Sequence, residues 1–90
     1  MRVTVKMVPA VAEQWRRGEL ESPAAQELAS TVRDLGLVLE PLHPGVNHPD
    51  LASYFIADTS SPAAAQAAIE RLLTSQAIDG AYVKPRDEPA

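Results

Sequence analysis

The chain has 90 residues, of which 46% are hydrophobic, and its eight basic and twelve acidic side chains give a net charge of −4. This length suits a single domain, because two hydrophobic cores need a longer chain. The acidic balance argues against binding to nucleic acid, which requires a clustered basic surface. With no cysteine, the chain has no disulfide, no thiolate nucleophile and no thiolate metal ligand.

The hydropathy pattern bears on where the protein acts. No segment holds the ~20 apolar residues that a membrane-spanning helix needs, so we expect no membrane partner. Residues 1–8 lack the apolar core of a signal peptide. If the chain is complete, we therefore expect it in the cytoplasm; an upstream segment would leave its location open.

The first strand is predicted over residues 2–8, where apolar and polar side chains alternate until Pro9 ends the run. In residues 10–21 a single pair of apolar side chains has helical spacing before Gly18 breaks the pattern. We interpret this stretch as a loop with one or two helical turns.

Two amphipathic helices are predicted near residues 23–35 and 62–75. Each follows a Ser-Pro pair, in which Ser22 or Ser61 serves as the N-cap and the proline takes the first helical position. Gly36 suits the left-handed residue that ends a helix. The apolar stripes of both helices should hold the most buried positions of the fold: Ala25, Leu28, Val32, Leu35, Ala65, Ile69 and Leu72.

Three further strands are predicted, over residues 37–42, 51–57 and 81–84. The segment 43–50 is rich in turn-forming residues and is read as a loop, and Asp79-Gly80 is read as the turn before the last strand. Both sides of the third strand carry apolar residues, so the side that faces the helices stays open. A solvent-facing side bearing Tyr54 and Ile56 would be a binding surface.

The order of these elements predicts an α+β fold. It is a ferredoxin-like β-α-β-β-α-β sandwich with a four-stranded antiparallel sheet and two helices on one face. The whole chain, residues 1–90, forms one domain, and residues 84–90 form an extended C-terminal tail because prolines and charges interrupt any strand there.

No motif in the chain predicts catalysis. No nucleophile–base pair and no glycine-rich phosphate loop is present, and the serines before the helices are explained by capping. His43 and His48 lie five residues apart, but the surrounding prolines and glycine favour a plain surface turn over a metal site. We therefore expect no enzymatic activity, no cofactor and no metal.

Three segments of the second half resemble the closing half of subtilisin propeptides and of the free protease inhibitors related to them. They are Tyr-Phe-Ile-Ala-Asp at 54–58, Ser-Pro-Ala-Ala-Ala-Gln-Ala-Ala-Ile-Glu-Arg-Leu-Leu at 61–73, and Ala-Tyr-Val-Lys-Pro at 81–85. The resemblance covers residues 37–90, whereas residues 9–21 have no counterpart. It implies a domain that binds a subtilisin-like serine protease as inhibitor or folding chaperone.

The resemblance also implies how such a domain docks. The uncovered sheet face packs on two surface helices of the protease, and an acid between the second and third strands caps their N-termini. Asp50 is placed for that role, with Glu40 as the second choice. The tail lies in the substrate cleft as an added strand. There Asp87 departs from the apolar residue that such proteases often prefer.

The partner-binding residues that the resemblance implies lie at three places: the open sheet face, the acidic position between the second and third strands, and the tail. They are Asp50, Tyr54, Ile56, Tyr82, Lys84, Arg86, Asp87, Glu88, Pro89 and Ala90. Such an inhibitor is expected to be monomeric when free, or at most a weak dimer. The alternative is a self-associating ferredoxin-like subunit with a structural or small-ligand-binding role. RNA binding through the sheet ranks third, because the chain is acidic.

Overall fold

The computed structural model describes residues 1–43, 45 and 48–83, with only the backbone described at 49 and 50. It contains a four-stranded sheet in the order β2-β3-β1-β4, and every neighbouring pair of strands is antiparallel. The elements in chain order are β1 (Arg2–Met7), α1 (Pro9–Arg17), α2 (Pro23–Leu35), β2 (Glu40–Pro41), α3 (Pro49–Ala52), β3 (Tyr54–Asp58), α4 (Pro62–Leu73) and β4 (Ile78–Val83). The predicted α+β class with an antiparallel sheet is confirmed.

The core lies between one face of this sheet and the helices. On β1 and β3, Val3, Val5, Met7 and Phe55 are completely buried. They belong to one cluster with the apolar stripes of α2 and α4 and with Val11 of α1. All three long helices therefore cover the same face of the sheet.

Helices α2 and α4 form where the sequence predicts them, and their N-caps are as expected. Ser22 Oγ accepts a hydrogen bond from the Ala25 amide at 3.2 Å, and Ser61 Oγ accepts one from the Ala64 amide at 3.1 Å. Six of the seven predicted stripe positions are buried; Leu35, in the last turn of α2, is only partly buried at the edge of the core.

Residues 10–21 hold more helix than the one or two turns predicted within a loop there, because α1 is a nine-residue helix. Pro9 does end β1, but it also occupies the first helical position, where its missing amide costs nothing. Gly18 ends α1 in the left-handed conformation with φ 72°. The Gln14 side chain then accepts hydrogen bonds from the amides of Glu21 and Ser22, both at 3.0 Å, and so ties α1 to the start of α2.

The second strand is much shorter than predicted. Only Glu40 and Pro41 pair with β3, and the Leu42 amide adds one hydrogen bond to the Tyr54 carbonyl at 3.0 Å. Proline has no amide to donate, so it suits this edge position and limits the ladder. Before Glu40 the chain follows the core instead, because Leu39 is buried while Val38 points to solvent.

The third and fourth strands begin elsewhere than predicted. Residues 49–52 form the short helix α3, in which the Ala52 amide donates to the His48 carbonyl, so β3 begins only at Tyr54. The predicted turn at Asp79-Gly80 was wrong, since both residues lie inside β4. The chain turns earlier, where Ser75 Oγ accepts from the Ala77 amide. Lys84, predicted to end this strand, lies outside the described residues.

Candidate functional site

The sheet face opposite the helices is the candidate site. Side chains of register partners lie on the same side of a sheet, and neighbouring positions on a strand alternate. Because Val5 and Phe55 point into the core, their neighbours point away from it. We call the open face the set of five residues that project there from the three long strands: Thr4, Lys6, Tyr54, Ile56 and Tyr82.

The open face is arranged in two rows that cross the sheet. In the first row Tyr82 lies opposite Thr4, and Thr4 lies opposite Ile56. In the second row Lys6 lies opposite Tyr54, and its ammonium sits 5.7 Å from the centre of the tyrosine ring, within range of a cation–π interaction. The ammonium of Lys6 thus lies on the same face as Tyr54, Ile56 and Tyr82.

The exposure of these side chains is uneven. Tyr82 on the edge strand is 49% exposed, whereas Tyr54 and Ile56 are half-buried by their neighbours in the sheet. Thr4, at the centre, is only 2% exposed although no helix covers it. The sequence left open which side of the third strand is buried. In the structure Phe55 and Ala57 face the core, and Tyr54 and Ile56 face outward.

Charged residues border the open face. Arg2 and Asp58 are register partners at one end of the sheet, with Arg2 Nε 3.8 Å from Asp58 Oδ1. Glu40 lies at the β2 edge opposite Ile56 and is exposed. The apolar centre with a polar border matches the general anatomy of a protein interface.

A shallow groove adjoins the open face where β2 separates from β3. Its volume is about 280 Å³, and it lies between the segment 36–40 and the end of β3. Val38, which is 72% exposed, and Ile56 supply its apolar wall, while Glu40 and Asp58 supply carboxylates. The groove continues the outward surface past Ile56 to the edge of the sheet, with charged side chains beside the apolar ones.

Asp50 and the last described residue, Val83, lie at different ends of the sheet. Asp50 lies in α3, which ends two residues before Tyr54, and Tyr54 pairs with Lys6 near the end of β1. Val83 pairs with Val3 near the start of β1. The open face lies between these two ends.

The structure thus places the predicted site residues in three groups. Tyr54, Ile56 and Tyr82 come together on the open face. For Asp50 the backbone position alone is described. The tail residues Lys84, Arg86, Asp87, Glu88, Pro89 and Ala90 lie outside the described residues.

Three outward residues, Thr4, Lys6 and Val38, were missing from the sequence-based prediction. Lys6 shares a side with Thr4 by simple alternation along β1, so its place on the open face was readable once the buried side of the strand was chosen. Val38 gave no such signal, because it was assigned to a strand that does not form there.

Other kinds of site find little support in the described part of the chain. Over residues 1–43, 45 and 48–83 no three histidine, aspartate or glutamate side chains lie close enough to hold a metal ion. Within the same residues, none of the helices combines the length and the apolar character required to cross a membrane.

Comparison of the chain with protein-family models, with curated proteins and with solved structures gave no match.

Proposed function

We propose that this chain is a propeptide-like domain that binds a subtilisin-like serine protease, as its inhibitor, its folding chaperone or both. The observation that carries the proposal is the open face, where Tyr54, Ile56 and Tyr82 lie together outside the helical layer. An antiparallel sheet tolerates water on one side, but aromatic and branched apolar side chains there gain from being covered.

The proposal includes the ferredoxin-like assignment of the fold. Counted from its other edge, the sheet has the order β4-β1-β3-β2, and α2 and α4 each follow a strand and precede another. This arrangement supports a split β-α-β pair. On this view α1 and α3 are additions that close one end of the core, where they contact each other.

Docking would use three contacts in sequence along the domain. The open face packs on the protease surface, Asp50 caps exposed helix N-termini of the protease, and the tail 84–90 adds a strand in the substrate cleft. The opposite positions of Asp50 and of Val83 on the sheet support this division, since the face can lie flat between the two outer contacts.

Titration of a subtilisin with three versions of the chain tests the proposal. Residual peptidase activity and complex formation are measured separately for wild type, for a chain lacking residues 86–90, and for Asp50→Ala. The shortened chain should bind without blocking the cleft. Asp50→Ala should weaken binding by about 0.5–2 kcal/mol without changing the stability of the isolated domain.

The outcomes separate the parts of the proposal. If the shortened chain inhibits as well as wild type, the cleft contact is wrong. If the intact domain binds none of several subtilisin-like proteases, the propeptide function is wrong as a whole.

The second candidate is a self-associating subunit, and one observation favours it. β4 is the outer strand of the sheet and is six residues long, so its outward backbone groups have no strand partner among the described residues. Sedimentation at micromolar concentration distinguishes the candidates. An inhibitor remains monomeric or self-associates weakly, whereas a tight dimer that buries well over ~1,000 Å² supports the subunit.

A further inference from the structure

Lys6 is the one charged residue of the open face, and its ammonium loses contact with water when a partner covers this face. It lies on β1, an inner strand of the sheet, and is half-buried. No ion pair forms between Lys6 and any carboxylate in the described part of the chain, whereas Arg2 on the same strand has Asp58 at 3.8 Å. The neighbour of the lysine ammonium is the ring of Tyr54, whose centre lies 5.7 Å away.

The other flank of Lys6 is open because its register partner on β4 is Gly80. A Cβ built at Gly80 would meet no atom of the described residues within 4 Å, so none of these residues fills the space beside the lysine. Lys6, Tyr54 and Gly80 therefore form a notch on the open face, with an aromatic wall on one side and a gap on the other. We call these three residues the lysine notch.

The chemistry of the notch restricts what can cover it. An ammonium removed from water without a counter-charge is strongly destabilised, and an aromatic ring offsets only a small part of that loss. A carboxylate that enters through the gap at Gly80 would restore the lost interaction with a charge-assisted hydrogen bond. We propose that the protease surface bound by the open face presents a carboxylate side chain to Lys6. This inference rests on the proposed function and adds the charge that the partner must carry.

The test uses purified subtilisin whose catalytic serine is replaced by alanine, with full-length variants of this chain and titration calorimetry. Lys6→Met keeps the apolar stem and removes the charge, so it leaves the partner carboxylate unpaired. We expect at least about a tenfold loss of affinity, and a larger loss for Lys6→Glu. Lys6→Arg keeps the charge and should bind within a few-fold of wild type.

Arg33→Met is the matched control, because it makes the same charge change on exposed α2, on the opposite side of the sheet. Its affinity should equal that of wild type. Binding of Lys6→Met should also depend less on salt than binding of wild type, since one ion pair with the protease has been removed.

Gly80→Leu tests the gap directly. It fills the space beside Lys6 while leaving the lysine itself unchanged, and it should weaken binding about as much as Lys6→Met does. Because both changes remove the same contact, the double variant should bind no more weakly than either single variant. Urea unfolding of each free variant identifies any loss that comes from misfolding.

The results distinguish this inference from the function on which it rests. If wild type binds and Lys6→Met binds equally well or more tightly, the partner carboxylate is refuted while the docking function stands. If wild type itself does not bind the protease, the proposed function fails, and the inference fails with it.

Discussion

The two faces of the sheet are built from the same strands, yet one is buried under helices and the other is partly exposed. On β3, Phe55 is completely buried under the helices, while its neighbour Tyr54 stays half-exposed on the open face. The difference comes from the three long helices, α1, α2 and α4, which pack on one side. A chain of this length has enough apolar residues for one such layer, so the second face is left to water or to a partner.

The contrast between the faces is sharper at the centre of β1. Val5 belongs to the core cluster with the helices, whereas Thr4 points to the other side, where its register partners are Ile56 and Tyr82. Substitutions on the covered face should therefore change the stability of the domain. Substitutions on the open face should change binding and leave stability nearly as it is.

The largest expected effect is the loss of a core side chain. Phe55→Ala removes the largest fully buried side chain and should lower the free energy of unfolding by about 3–5 kcal/mol. Tyr54→Ala, one residue away on the other face, should cost far less. Urea denaturation of both variants measures the difference, and similar losses for the two would refute the contrast between the faces.

A smaller effect is expected at the start of the helix that covers β4. Ser61→Ala removes the hydroxyl that accepts from the Ala64 amide and should cost about 0.5–2 kcal/mol. Ser60→Ala is the control, because this adjacent serine is exposed and makes no hydrogen bond among those described. Thermal unfolding followed by circular dichroism compares the two, and equal melting temperatures would contradict the capping role.

The smallest effect is expected at the border of the open face. Asp58→Asn breaks the ion pair with Arg2. The Asp58 side chain is 82% exposed and that of Arg2 is 58% exposed, so the free energy of unfolding should fall by less than about 1 kcal/mol. The loss should shrink further in high salt because the pair is screened. A loss that is large and independent of salt, measured by urea denaturation at two ionic strengths, would show a structural role that this geometry does not predict.

The sequence predicted the elements whose signals agree with each other. α2 and α4 have an N-cap serine, a proline at the first position and an apolar stripe, and both formed as expected. α1 was only partly predicted, although Val8, Val11, Ala12 and Trp15 have helical spacing, because Gly18 was interpreted as a break in the pattern and not as the residue that ends a helix.

The strands were predicted less well because their bounds depend on contacts distant in sequence. β2 begins only at Glu40 because the chain before it follows the core, where Leu39 is buried, and periodicity alone does not show this. β4 contains a β-bulge at Asp79, because Lys6 pairs with Gly80 and Met7 pairs with Ile78. Alternation grouped Tyr54 with Ile56 but left open which side of β3 is buried, and the lysine notch required the pairing of Lys6 with Gly80, which the sequence does not reveal.

NMR cross-saturation maps the surface of this domain that the protease covers, and so tests docking through the open face. The isotope-labelled domain is mixed with inactive subtilisin, and saturation is transferred from the protease to the amides that it covers. Docking through the open face predicts loss of signal at Thr4, Lys6, Ile56 and Tyr82, with the exposed residues of α2 and α4 unaffected. Saturation confined to the helices, with the open face untouched, would contradict it.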